Sequence, residues 1–249
     1  MNFVSRDHLF SYLKQLLFIG LGSQGECYLD KKTNIVYKIF HQYIDDLKDD
    51  WKLNYDKENL LKFSNIENNT YVFPLDVISV GDEIVGYTCD YINGNSLFRI
   101  NPLRVNLDKF CNSISNTLND VRVISDNSVR SFDVMYNTIY CDDDIRVIDC
   151  DDSSFSDLDK DRLFRINYDN LNSEILYFLV DNYFDEFVAK YPLLNEMYTS
   201  SGVDIKEFIN LFRRYLSEVV GSNINTLGDA KKCLNKTKRD LRYQRSIAK

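Results

Sequence analysis

The segment Gly20-Leu21-Gly22-Ser23-Gln24-Gly25 constrains this chain more than any other. Glu26-Cys27-Tyr28-Leu29 follows at once, then the polar run Asp30-Lys31-Lys32-Thr33-Asn34, then Ile35-Val36-Tyr37-Lys38-Ile39-Phe40. Two apolar, β-prone runs around a polar turn read as a hairpin. The glycines therefore sit in a loop between strands. In a dinucleotide-binding fingerprint they would open a helix instead. The order is strand, glycine loop, strand, turn, strand.

The rest of the chain predicts a mixed α+β molecule. His8 to Phe18 has the spacing of a short amphipathic helix. Asp45 to Phe63 is charged and periodic through Leu53, Leu60 and Leu61, which predicts a second helix. Tyr71-Val72-Phe73-Pro74 and Glu83 to Cys89 read as strands, separated by a loop at Val80-Gly81-Asp82. A connector at Asp90 to Leu97 closes a first domain, 1–97, and leaves a mostly helical second one, 98–249. Within the second, Leu107 to Leu118 predicts a helix and Val129 to Phe132 a short strand. Thr138-Ile139-Tyr140 and Ile145 to Ile148 predict a hairpin, and the stretches 171–190 and 204–220 predict helices.

Composition narrows the chemistry. A chain of 249 residues, 44% hydrophobic, can bury a real core as one domain or two small ones. A net charge of −8 argues against DNA as a partner. Two histidines, His8 and His41, all but exclude a histidine-built triad or metal cluster. The six cysteines include no CxxC pair and read as reduced thiols. The opening residues lack a signal-peptide pattern and no apolar run spans a membrane, so the expected compartment is the cytoplasm.

Four sets of residues carry candidate chemistry. Gly20, Gly22 and Gly25 let a backbone approach phosphate oxygens without an intervening side chain. Two strands and a turn return Lys38 beneath that loop, where its ammonium would meet phosphate. Glu58, which shares a helix face with Leu61, is placed to orient Lys38 by an ion pair. Asp149 ends the apolar run Val147-Ile148 and begins an acidic turn, Asp149-Cys150-Asp151-Asp152, a setting suited to Mg²⁺ held against phosphates. Asp133 and Asn137 bracket Val134-Met135-Tyr136. The first can accept a hydroxyl proton and the second can offer an amide oxygen to a metal.

Together these elements resemble the protein-kinase-like superfamily over roughly residues 17–152. The glycine-rich loop is matched by Gly20, Leu21, Gly22, Ser23 and Gly25, the strand lysine by Lys38 and the helix glutamate by Glu58. The hinge pattern is matched by Asp90-Tyr91-Ile92-Asn93-Gly94-Asn95-Ser96-Leu97, with Cys89 in the gatekeeper position. The resemblance implies a bilobal fold, with a small antiparallel-sheet N-lobe, a mostly helical C-lobe and a nucleotide cleft between them. It implies ATP and Mg²⁺ as cofactors, with the backbones of Asp90 and Ile92 on the adenine edge and Asn137 and Asp149 on metal. Asp133 would be the catalytic carboxylate.

There are departures. The family's H-R-D is Ser131-Phe132-Asp133, Asn137 follows Asp133 by four residues instead of five, and Asp151 replaces the glycine of D-F-G. No A-P-E follows, and the activation segment is short or missing. These features are similar to an atypical bacterial member. They imply phosphoryl transfer to a hydroxyl of a protein or small molecule. The alternative is a pseudokinase that holds nucleotide or a partner without efficient turnover. A basic C-terminal helix, from Lys231 through Lys249, reads as a solvated final helix packed by one narrow apolar stripe, with docking on an acidic partner or an anionic membrane as the alternative.

Overall fold

The computed structural model describes residues 1–44, 57–132, 134, 136–141, 144–181, 183–232 and 234. The chain divides into two compact units. The first comprises Met1–Asn93 and Val147–Ser153, and the second Gly94–Arg146 and Ser154–Lys249. The short piece Val147–Ser153, which carries Asp149, thus belongs with the N-terminal unit rather than with the residues around it in sequence.

The first unit is built on a six-stranded sheet in the order β1-β5-β6-β4-β3-β2. Its strands are β1 (Asn2–Phe3), β2 (Leu17–Leu21), β3 (Gly25–Asp30), β4 (Ile35–Phe40), β5 (Asp76–Val80) and β6 (Glu83–Asp90). All pairings are antiparallel except β1 with β5. The helices are α1 (Arg6–Leu13), α2 (His41–Ile44) and α3 (Lys57–Leu61). Ser5 caps α1 by accepting the His8 N–H at 3.2 Å. Leu9 and Leu13, one turn apart, then bury with Phe3, Tyr37, Ile39, Ile78 and Val85.

β4 lies between β3 and β6, and its residues from Val36 to Phe40 are all buried. That explains why the run is apolar on both sides of Lys38, since a strand covered on both faces has no solvent-facing side to show. Tyr37 and Ile39 point toward α1, whereas Phe40 packs with Leu60, Val77 and Tyr87. Lys38 alternates with Tyr37 and Ile39 and so shares the face of Phe40. The sheet also explains two glycines. A Cβ on Gly25 would overlap the Ile39 carbonyl oxygen, and one on Gly86 would overlap that of Lys38.

Several boundaries differ from the sequence expectation. Leu17 and Phe18 leave the first helix and join edge strand β2, where both are exposed. The strand expected at 71–74 lies at β5 instead. Pro74 has no N–H for a ladder, and the run keeps only an isolated bridge from Tyr71 to Val147. The expected helix from Asp45 is helical at Lys57–Leu61, and residues 45–56 lie outside the described ones.

The second unit is mostly helical: α4 (Leu107–Asp126), α5 (Lys160–Val180), α6 (Asp185–Val188), α7 (Pro192–Thr199) and α8 (Ile205–Val220). Short strands complete it. β7 (Asn95–Ser96), β9 (Thr138–Cys141) and β10 (Asp144–Val147) form one sheet, and β8 (Val129–Arg130) pairs with β11 (Ser154–Phe155). Asn106, Asp159 and Asp204 cap α4, α5 and α8 through their side chains. α4 runs past its expected end at Leu118. Ser113, Thr117 and Ser125 bond their hydroxyls to carbonyls one turn back, so polar residues continue the helix without facing solvent. Phe110 and Ile114 of α4, Ile175 and Leu179 of α5, and Phe208 and Phe212 of α8 are fully or almost fully buried. Among the described residues, no helix is long and apolar enough to cross a membrane.

Candidate phosphate and metal site

Lys38 is 4% exposed, an unusual position for a lysine and a costly one without partners. Strand pairing supplies the first of them. Lys38 stands opposite Cys27 of β3 and Tyr87 of β6, so the three share one face of the sheet. The ammonium lies 5.3 Å from the centre of the Tyr87 ring, within cation–π range.

The other partners come from the segment Val147–Ser153. Its start is pinned by backbone bonds, Val147 N–H to Thr70 O at 2.7 Å and Val72 N–H to Val147 O at 2.9 Å. Asp149 then adopts the left-handed conformation, φ 61° and ψ 45°, and a single 3₁₀ turn covers Cys150–Asp152. Asp tolerates this conformation better than most residues. The turn delivers two carboxylates to one ammonium. Lys38 Nζ forms an ion pair with Asp149 Oδ1 and lies 3.3 Å from Asp151 Oδ1. The Tyr87 hydroxyl lies 3.0 Å from Asp151 Oδ1 and 3.3 Å from Asp149 Oδ1, so its single O–H has both carboxylates as acceptors within reach, Asp151 the nearer.

The glycine loop closes the cluster. Gly22 N–H bonds Gly25 O at 2.9 Å, forming a tight hairpin end. Gln24 accepts from Lys38 Nζ at 3.0 Å and donates to Asp152 at 3.3 Å. His41 holds the loop from its other end, with its ring Nε2 2.8 Å from Gly22 O and its N–H on Gln24 O. The glycines are not equivalent. Nothing lies within 4 Å of a Cβ on Gly20, and only Gly25 O at 3.7 Å near one on Gly22, so these two leave open space beside the loop. Gly25 is required by packing against β4 instead. Leu21, Gly22 and Ser23 are exposed.

Electrostatics divide the two aspartates. Burial raises the Asp149 carboxyl, but the Lys38 ammonium and its hydrogen bond outweigh that and leave it below the usual carboxylate range. Asp151 is raised, chiefly by burial and further by the charge of Asp149, with Lys38 offsetting only part. Burial lowers Lys38, yet the two carboxylates more than compensate and keep it charged. Burial holds the Tyr87 hydroxyl protonated, so it remains a donor. Burial also pushes the Cys27 thiol up to about 11 and the Cys89 thiol up to about 12.

The expected Lys38–Glu58 pair is not the one formed. Glu58 is exposed on α3, and among the described residues Lys38 pairs with Asp149 and Asp151. Two acids a few residues apart on one pinned turn reach the buried ammonium, whereas Glu58 faces solvent. Cys89 is half-buried opposite Val36, Asp90 is exposed at the end of β6, and Ile92 is half-buried. Tyr87 and Gln24 were missed by sequence reasoning. Tyr87 is detectable only from β4–β6 register, and Gln24 only once the loop closure is known.

Asn137 belongs to the second unit. Its N–H bonds Val134 O at 3.2 Å, after Tyr136 turns the chain at φ 72°. Asp133 lies outside the described residues. The stretch that leads to it is anchored from α5. The fully buried Asn167 accepts from the Ser131 N–H at 3.0 Å and donates to Ser125 Oγ and Val129 O at 3.0 and 2.8 Å. Most of the basic C-terminus also lies outside the described residues. Of its start, Lys231 turns inward and donates to Tyr183 O at 3.0 Å.

The donor chemistry fits Mg²⁺. Asp149 and Asp151 offer hard oxygens, and Asp149 keeps 34% of its side chain exposed. No group of three or more His, Cys, Asp or Glu residues among the described ones is arranged to hold a metal alone. Mg²⁺ in phosphate sites takes one or two carboxylates and completes its shell with phosphate and water, so a larger protein cage is not required.

No protein-family model and no curated protein sequence matches the chain. Among solved structures, a chain of the CAK complex of Chaetomium thermophilum bound to ATP-gamma-S is similar at 12% identity and a TM-score of 0.44. The match covers 61% of this chain and 52% of that one, so this chain spans about half its length.

Proposed function

We propose that this protein is an ATP- and Mg²⁺-dependent phosphotransferase acting on a hydroxyl. One observation carries the reading: a buried lysine held by two carboxylates of one turn, directly under a glycine loop. An ammonium kept charged in a buried site is a ready partner for phosphate oxygens. Gly20 and Gly22 leave room beside it for a phosphate chain. Asp149, the more exposed carboxylate, would hold Mg²⁺, which when bound supplies charge neutralisation on the phosphates. Cys89, Asp90 and Ile92 take the nucleotide-base end, as the resemblance implies. The resemblance likewise assigns a second metal position to Asn137 and acceptance of the acceptor's proton to Asp133. Catalysis on this account is positioning and electrostatic stabilisation.

The test is conversion of ATP to ADP with Mg²⁺, followed by chromatography. Asp133→Asn should lower turnover at least about a hundredfold while ATP still binds, in line with the usual contribution of a general base. ATP binding with no turnover in the unaltered chain would replace this reading with the nucleotide-holding pseudokinase.

A further inference from the structure

Lys38 faces two carboxylates, Asp149 and Asp151, that are not equivalent. Exposure separates them: the Asp149 side chain is 34% exposed and that of Asp151 only 1%. The Tyr87 hydroxyl lies closer to Asp151, at 3.0 Å, than to Asp149, at 3.3 Å. Tyr87 itself is fixed opposite Lys38 by the β4–β6 register. Asp151 is thus held on one side by a sheet residue and on the other by the pinned turn Cys150–Asp152. Glu58 is exposed on α3.

We infer that Asp151, steadied by the Tyr87 hydroxyl, is the positioning residue that orients Lys38 toward phosphate and leaves Asp149 for the metal. The inference rests on the nucleotide reading above. It places the lysine's orientation in the sheet and the acidic turn. Lys38 is then aligned whatever the position of α3, with no helix movement needed to complete the site.

The sign of one substitution is decisive. Removing a negative charge near incoming phosphate would, by repulsion alone, tighten ATP binding. Loss of orientation weakens it. Calorimetry with ATP and with adenosine, each in EDTA and in Mg²⁺, separates the cases. Asp151→Asn should weaken ATP about 10- to 30-fold under both conditions, the loss expected for one misplaced charge-assisted contact, and leave adenosine within about twofold. Tyr87→Phe should weaken ATP about threefold with the same pattern, and Asp151→Glu should recover most of the loss. Tighter ATP binding in Asp151→Asn would overturn the inference. A loss seen only with Mg²⁺ would make Asp151 a metal ligand, and an equal loss for adenosine would make it a structural residue. Either result overturns the inference and leaves the nucleotide reading standing. Absence of ATP binding by the unaltered chain would overturn that reading, and this inference with it.

Discussion

Asn167→Leu probes the anchor that holds the stretch before Asp133. Asn167 uses both amide hydrogens and its oxygen within a fully buried pocket, on Ser125 Oγ, Val129 O and Ser131 N–H. Leucine has similar bulk and none of these groups. The Ser125 hydroxyl keeps its bond to Val121 O, so its loss is small. The Ser131 N–H and Val129 C=O lose a partner where Ser131 is 1% and Val129 0% exposed. Each stranded group costs roughly 1–3 kcal/mol, and the added apolar burial returns about 1 kcal/mol, for a net loss of about 3 kcal/mol. With a urea slope of about 2 kcal/mol per molar, the helical unfolding midpoint should fall by about 1.5 M in far-UV circular dichroism. Hydrogen exchange at the Ser131 amide should accelerate in parallel. Asn170→Ala, which removes a single 3.2 Å bond to Ser131 O, should cost about 1 kcal/mol. A midpoint shift under 0.5 M (roughly 1 kcal/mol) for Asn167→Leu would mean that the Ser131 N–H and Val129 C=O are not stranded, because two stranded buried groups cost more than that.

Other consequences are equally open to measurement. Gly86→Ala forces a Cβ into the Lys38 carbonyl in mid-sheet and should cost about 3 kcal/mol in thermal or urea unfolding, whereas Gly20→Ala, which meets nothing, should cost under about 1 kcal/mol. The Cys27 thiol, raised from 9.0 to about 11, should react with a thiol-specific reagent at pH 8 about a hundredfold more slowly than an ordinary cysteine, from thiolate fraction alone. A rate equal to that of the denatured chain would contradict its burial. Stability should also decline on the alkaline side. Cys27 and Cys89 keep their protons above their ordinary 9.0, Tyr37 and Tyr87 above 10.0, and Lys38 above 10.5. Above pH 9 the unfolded chain therefore binds fewer protons than the folded one, and stability falls as pH rises. A urea midpoint unchanged between pH 7.5 and 10.5 would count against these shifts.

The parts of the fold that were legible in sequence are those whose cause is local. The hairpin of β3 and β4 follows from its polar turn, where Asn34 takes a positive φ of 57°, and from an apolar run that only a doubly covered strand would need. α8 announces itself through a capping Asp204, a wide apolar face and Gly221 at its end. Boundaries failed where apolar residues served a purpose other than the expected one. Leu17 and Phe18 fit a helical period but line an exposed edge strand. At the site, Lys38 and Asp149 were legible because a lysine inside an apolar strand and an acid at the end of another are locally odd. Their mutual partners were not. Asp151 and Tyr87 reach Lys38 across 113 and 49 residues of chain, through strand register and a left-handed turn that no local pattern encodes. Glu58 looked better placed because helix periodicity is easy to read, yet periodicity does not say which sheet residue a helix face meets.

We propose that Lys38 and Asp149 form a phosphate and metal site. Calorimetric titration of ATP into the intact chain, with and without Mg²⁺, tests it most directly when repeated on Asp149→Ala. Mg²⁺ should strengthen ATP binding at least about tenfold, and Asp149→Ala should lose this gain while keeping metal-free binding, as expected if the Asp149 carboxylate would hold the metal. An unaltered chain that binds no ATP, or an Asp149→Ala variant with the full Mg²⁺ gain, would contradict it.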